Sequence, residues 1–321
     1  MIGQILRRRR LAHSASPGPP APFIVGVGRS GTTLLRMMLD THSEMAIPPE
    51  THFVPDLILA CERLRISPER LTDQVVNDRH RRWGDFGIAE REYLERLRAI
   101  PHLNAADAIR AFYELYSEHV GKPRWGDKTP DYVKRMRRIN RSLPEAHFVH
   151  VIRDGRDVAL SHNRRIEQRG EKSRQPVPAA EMARRWRKRV GKARDDAPRL
   201  GHYLELRYED LVTDTASSLR QVCEFIGLPW DAAMLDYHER AAERLQEMAR
   251  DLPAEHGRPH RPGEERLRAH ALLKEPPKEE RVGTWREEMS EGDRRAFEEV
   301  AGPLLAELGY ETTASAGRLA S

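Results

Sequence analysis

Residues 23–40 read FIVGVGRSGTTLLRMMLD, and this stretch decides the fold. The apolar run from Phe23 to Val27 reads as a buried strand, and the loop Gly28-Arg29-Ser30-Gly31 follows at once. From Thr32 onward, Leu34, Leu35, Met38 and Leu39 fall at helical spacing, so the chain enters a helix. Strand, glycine loop and helix N-terminus in that order make an anion cradle. The first-turn N–H groups lack helical partners, and the helix dipole adds partial positive charge. Glycine lets the backbone approach an oxyanion closely, and Thr32 and Thr33 can add hydroxyl donors.

Gly26 to Thr33 spells G-x-x-x-x-G-T-T, one residue away from the nucleotide-triphosphatase loop G-x-x-x-x-G-K-[ST]. Thr32 stands where that loop has its phosphate-binding lysine, and the nearby cation is Arg29, on the loop itself. This swap suits a 5′-phosphosulfate, which carries less charge and needs no metal. Three classes of function stay open here: group transfer from such a donor, a kinase or NTPase using ATP or GTP with magnesium, and a basic binding module for polyanions.

The chain has 321 residues, 33% of them charged and 39% hydrophobic, with a net charge of +5. That length allows one or two domains and a real core. The charge favours anionic partners: a nucleotide cosubstrate, an acidic acceptor, a membrane surface or nucleic acid. No groove-reading motif supports the last, so no nucleic acid is expected. The two cysteines, Cys61 and Cys223, are far apart among apolar residues and read as buried free thiols; no metal site is expected. No run approaches the roughly 20 apolar residues of a membrane span. Residues 1–20 carry Arg7 to Arg10, then Ser, Pro and Gly, with no apolar stretch of a secretory signal. A disordered tail and a cytoplasmic protein are expected, with one domain over 21–311 and a flexible tail over 312–321.

Four further blocks stand out. His42 to His52 carries a short apolar Met45-Ala46-Ile47 and then Pro48-Pro49-Glu50-Thr51, which leaves Glu50 on a loop in reach of the cradle. Trp125-Gly126-Asp127-Lys128-Thr129-Pro130 sets Lys128 at a strand end. Phe148 to Ile152 is a buried strand, followed by Arg153-Asp154-Gly155-Arg156-Asp157 and a helix bearing Ser161 and Arg165; arginine forks and a hydroxyl suit a phosphate monoester. Tyr203 to Leu211 reads as another strand with its exit turn, and Tyr208 there is either a ligand contact or a core aromatic. Between the blocks, residues 55–120 carry helical patterns, and Met182, Trp186 and Val190 form an inward stripe on a basic helix. Residues 253–277, rich in Pro, His, Arg and Glu with few apolar residues, read as a mobile segment.

The stretch GRSGTTLLRMMLDTHSEMAIPPET, residues 28–51, resembles the 5′-phosphosulfate loop of sulfotransferases, which use 3′-phosphoadenosine 5′-phosphosulfate (PAPS). It is closer to the tyrosylprotein branch, with R-S-G-T-T and E-T, than to the cytosolic branch with K-S-G-T-T. R-D-G-R with a serine eight residues after the first arginine, Y-E-x-L, G-x-W and a final L-x-x-L-G-Y follow in family order, so the resemblance spans about residues 22–310. It implies an α/β, P-loop-like three-layer fold with a central parallel sheet flanked by helices. It implies that Arg29, Ser30, Gly31, Thr32 and Thr33 bind the phosphosulfate, that Arg153, Ser161 and Arg165 bind the 3′-phosphate, and that Tyr208 touches the nucleotide. Glu50 would be the general base, with Arg29 and Lys128 stabilising charge. The cytosolic branch has a catalytic histidine where Pro130 stands, so a histidine base from that block is excluded. Lys274, Lys278 and Arg281 are unassigned candidates for phosphate contact. The acceptor, a small molecule, carbohydrate, lipid or peptide, is left open: the tyrosylprotein enzymes follow E-T with arginine, and here His52 follows.

Overall fold

A strand that is apolar over its whole length must be covered on both faces, which favours a parallel sheet between helical layers. All six residues of β1 (Ala21–Gly26) are buried. In the computed structural model, β1 pairs in parallel with β5 (Ala146–Ile152) from Ala21↔Ala146 to Gly26↔Val151. On its other edge β1 meets β4 (Asp127–Lys128), and β6 (Tyr203–Arg207) adds to β5. Among the described residues the central sheet is four-stranded and wholly parallel, in the order β4-β1-β5-β6. A separate pair, β2 (Met45–Ala46) with β3 (Arg124–Trp125), flanks it. The structure describes residues 18–313 apart from 64–65, 79, 81, 170–174, 253–259, 261 and 269. Nearly all of the tail expected over residues 1–20, most of the C-terminal tail and part of the segment expected to be mobile lie outside these.

Side chains alternate across the sheet. Phe23, Val25 and Phe148 face one layer, together with α2 (Val54–Arg63), α3 (Pro68–Val76), α4 (Glu90–Arg98), α5 (Ala105–His119) and α6 (Met136–Ser142). On the other face Ile24, Val149 and Val151 pack with α1 (Thr32–Thr41). A third cluster sits near the strand ends, where α7 (Gly155–Arg169) packs with α8 (Ala179–Asp196). The stripe Met182, Trp186 and Val190 is buried as its spacing requires, and the Trp186 indole N–H donates to the Arg153 carbonyl at 3.1 Å. A side chain at Gly155 would meet Phe297 and Trp186, at 2.6 and 2.7 Å from the added carbon. Close packing at the start of α7 therefore fixes where Arg153 leaves β5.

After β6 the chain continues at once into α9 (Tyr208–Thr213), where the sequence pointed to an exit turn. Then come α10 (Thr215–Phe225) and α11 (Tyr237–Leu245), which pack on the α1 face. The part of 253–277 that is described is not featureless. It holds α12 (Gly263–Arg268) and a 3₁₀ turn at Ala271–Lys274. The low apolar content concealed a different anchor: Arg266 and Asp85, both buried, are ion-paired across the fold. The short α13 (Trp285–Glu288) and the long α14 (Glu291–Glu307) close the chain against α7 and α8.

Cys223 is buried as expected, whereas Cys61 is only half-buried, and neither is in a disulfide. No helix of the described residues is long and apolar enough to cross a membrane. The consequence for function lies in the sheet order. The loop after β1, Lys128 at the end of β4, Arg153 after β5 and Tyr208 after β6 all stand at the carboxyl ends of parallel strands, where open α/β sheets bind ligands.

Candidate active site

The cradle forms where β1 stops. Ser30 N–H donates to the Val27 carbonyl at 3.1 Å, a turn that ends the strand one residue before the sequence pattern placed its end. Arg29 (φ 76°) and Gly31 (φ 88°) are both left-handed; the second position favours glycine, and the first is strained for arginine. A side chain at Gly31 would lie 2.3 Å from the Tyr208 ring, so glycine is also required by packing. Thr32 is buried in the first turn of α1, and Ser30 is 1% exposed with no hydrogen-bond partner for its Oγ among the described residues. A buried hydroxyl without a partner is costly and marks a place where a ligand oxygen fits.

Arg153 is the second half of the site. Its guanidinium donates to the carbonyls of Arg29 (3.3 Å) and Arg281 (2.6 Å) and lies 4.3 Å over the Tyr208 ring, and its Nε has no hydrogen-bond partner among the described residues. The nearest carboxylate is Asp157 at 3.7 Å. Both Asp157 oxygens are engaged by Gly283 N–H, Trp285 N–H and the Thr284 hydroxyl. Asp154 is committed to Arg156, at 2.7 Å. Arg153 is thus a buried cation fixed by carbonyls and a ring, with its charge only loosely balanced. That is a preorganised anion site. The Arg29 Nε donates to Ser161 Oγ at 3.1 Å, which joins the loop to α7. The sequence assigned these two residues to opposite ends of the ligand; the left-handed backbone at Arg29 accompanies a side chain directed toward α7.

Arg29, Gly31, Thr32, Thr33, Arg153, Ser161 and Tyr208 line one cleft, and Ser30 is not among its lining residues described. Tyr237, Leu273, Pro276 and Pro277 make an apolar wall, and Lys278 and Arg281 add cations. Lys274 is not among the lining residues described, and neither is Arg165, whose guanidinium lies 3.7 Å from Glu265 of α12. The mix of apolar wall and convergent cations suits a nucleotide.

Next to the cleft, Lys128 Nζ donates to Glu50 Oε1 at 2.7 Å and to Thr33 Oγ1 at 3.2 Å. His52 Nε2 is 3.1 Å from Glu50 Oε2, and its ring stacks on His80 with centroids 3.9 Å apart. Burial alone would raise the Glu50 carboxyl, but the Lys128 ammonium, the His52 hydrogen bond and the Arg82 charge outweigh it and hold the acid well below its ordinary value of 4.5. Burial lowers Lys128, against the pull of Glu50. His270 lies between the cleft and a second cavity, and burial followed by the Lys128 charge pushes it down to about 3, so it is neutral.

The geometry of Glu50 and Lys128 comes from a residue the sequence reading passed over. Asp127, fully buried, accepts hydrogen bonds at Oδ2 from Thr51 Oγ1 (2.8 Å), Tyr113 OH (2.8 Å) and Thr129 Oγ1 (3.3 Å). Thr51 follows Glu50 and Asp127 precedes Lys128, so one carboxyl clamps the two chain segments that carry the catalytic candidates. Arg36, Arg82 and Arg266, which line the second cavity beside Glu50, were also passed over. For Arg36 a signal existed: it follows Thr33 by three residues and shares its helix face.

Comparison with known proteins agrees with this geometry. A family model described as "Sulfotransferase family" matches residues 20–232. A Caenorhabditis briggsae protein named as a candidate protein-tyrosine sulfotransferase is 25% identical over 299 residues, which is 91% of this chain and 90% of the relative. Protein-tyrosine sulfotransferase 2 of Gallus gallus is 25% identical over 68% of this chain, which spans about half of it (54%). Among solved structures, the sulfotransferase domain of the Synechococcus PCC 7002 olefin synthase superimposes with a TM-score of 0.59 over 91% of this chain and 96% of that domain. At 21% identity this likeness establishes the fold.

The buried clamp has a pH signature. Burial, only partly offset by hydrogen bonds from Thr51, Tyr113 and Thr129, raises the Asp127 carboxyl from 3.8 to about 6. A raised acid favours the folded state while protonated. Its contribution is complete below pH 3.8 and is lost as pH rises through about 6. Relative to the Asp127→Asn variant, the parent chain should lose about 2 kcal/mol of unfolding free energy between pH 4 and pH 7. Urea unfolding at several pH values measures this, and a gap that does not change with pH would refute it.

Proposed function

The chain belongs to the sulfotransferase family, and from that premise we propose that Glu50 takes the proton of an acceptor hydroxyl or amine while Lys128 and Arg29 stabilise developing negative charge. Its reaction class is PAPS-dependent sulfuryl transfer. PAPS supplies an activated sulfuryl group together with the bisphosphate nucleotide that carries it. The residues fit that nucleotide. The first-turn N–H groups of α1, the orphaned Ser30 hydroxyl and Thr33 suit the phosphosulfate. Arg153, with its loosely balanced charge, and Ser161 suit a phosphate monoester, and the wall of Tyr237, Leu273 and Pro276 suits a base. The kinase alternative is not favoured, because Thr32 occupies the place of its lysine.

A carboxylate held as low as Glu50 is a weak base toward a free hydroxyl. It therefore receives the proton late, once the acceptor oxygen has become acidic, and its main task is position: hydrogen-bond reach, fixed by Lys128 and His52. Lys128 Nζ, shared between Glu50 and Thr33, carries positive charge from the base to the cradle and is the cation best placed between them. The observation that carries this reading is the Glu50–Lys128 pair joined through Thr33 to a cleft lined by several cations.

Cytoplasmic residence belongs to the same proposal; the two unpaired cysteines accord with a reducing compartment. Recovery of the native protein in the membrane pellet on cell fractionation would contradict it. For the chemistry, Glu50→Ala should cut turnover with PAPS by about 10²–10⁴-fold, the usual contribution of a positioned proton acceptor. Its affinity for 3′-phosphoadenosine 5′-phosphate should stay within about threefold of the parent's. Steady-state kinetics and calorimetry measure both, and near-parental turnover would remove Glu50 from the mechanism.

A further inference from the structure

Resting on Glu50 and Lys128 as the transfer site, we propose that the acceptor is a compact molecule bearing an anionic group, carboxylate or phosphate, close to the hydroxyl it presents. The cavity beside Glu50, which meets the cleft at His270, is the place where its anionic group would enter. Arg36, Arg82 and Arg266 line it together with Lys128, against the single carboxylate of Glu50. Behind the lining, Glu247 pairs with Arg36 at 3.1 Å, and Asp85 holds both Arg82 and Arg266. Glu247 is shared with a further cation, Arg244, at 2.6 Å, and Arg244 is itself paired with Asp40 at 2.6 Å.

Among the described residues, four cations at the cavity meet three acids, Glu50, Asp85 and Glu247, which leaves one positive charge in excess. An enclosed cationic excess is costly unless an anion completes it. Fork-like guanidinium donors suit carboxylate and phosphate oxygens in particular. The apolar share of the lining is small, Pro49 and Met248, with no Phe, Tyr or Trp among the described lining residues. A phenol ring or a lipid chain would gain little burial there. A sugar acid or a phosphorylated polyol would find both a base for its hydroxyl and a counter-charge for its anion.

The test is a binding measurement with the nucleotide cleft filled. In protein saturated with 3′-phosphoadenosine 5′-phosphate, thermal unfolding is followed with glucuronate against glucuronamide, and with glycerol 3-phosphate against glycerol. At least one acid should raise Tm by about 2 °C or more at millimolar concentration while its uncharged partner does not, and which pair responds tells carboxylate from phosphate. Arg82→Gln, at a side chain 15% exposed and not fully enclosed, should abolish that shift and keep the shift caused by the nucleotide alone. Arg82→Lys should restore part of it. Three results overturn the inference. They are no shift with either acid, equal shifts within each pair, or a shift retained in Arg82→Gln, which would put the anion beside the nucleotide instead. Sulfation from PAPS of a tyrosyl peptide or neutral alcohol in preference to both acids also overturns it, and leaves the transferase reading intact.

Discussion

The structure is organised around a buried cation that the protein itself does not neutralise closely. Arg153 emerges from the end of β5 into the junction of the loop after β1, α7 and Tyr208, where a free charge is expensive. Two carbonyls and one aromatic face hold it there, while Asp157, 3.7 Å away, and Asp154 are engaged by other groups. Such an arrangement stores electrostatic free energy for an anionic ligand, and no reorganisation is needed when the ligand arrives. Trp186 and Gly155 fix the backbone around it, so core packing in the third hydrophobic cluster sets the position of the charge.

From that point the site extends in one direction through Arg29 and Ser161 and in the other through Thr33, Lys128 and Glu50. The second branch is a chain of hydrogen bonds between a helix start, a strand end and a proline-flanked loop. Asp127 and its hydroxyl partners hold the last two of these together from behind. Pro130 stands in the Lys128 block, and the clamp on Thr51 gives the loop that carries Glu50, the proposed base, the rigidity a strand would otherwise supply. The cleft and the cavity beyond Glu50 meet at His270, which is neutral and therefore adds no charge at the junction.

The parts legible in the sequence are those written in contiguous residues. The apolar strand, the glycine loop and the helix after it are local signals, as is the strand before Arg153, and both fold as their patterns require. Gly31 was readable as a close-approach residue, though that its neighbour would be Tyr208 was not. Pairs separated by long stretches of chain were illegible. Arg266 meets Asp85 across 181 residues, and nothing in either segment's composition announces the partner. The same holds for the contact of Arg29 with Ser161, 132 residues apart. Arg82 and Arg266 read as surface charge in polar segments, and only folding shows that they line the cavity beside Glu50.

The central claim is that this cleft grips an adenosine nucleotide by phosphate groups at both ends, with Arg153 as the fixed cation for one of them. Isothermal calorimetry of 3′-phosphoadenosine 5′-phosphate against adenosine 5′-phosphate, in the parent and in Arg153→Gln, tests it most directly. The account predicts that the bisphosphate binds the parent at least about 100-fold more tightly, near 2.7 kcal/mol, and that the variant loses most of that preference. Equal affinities for the two nucleotides, or a preference untouched by the loss of Arg153, would contradict it.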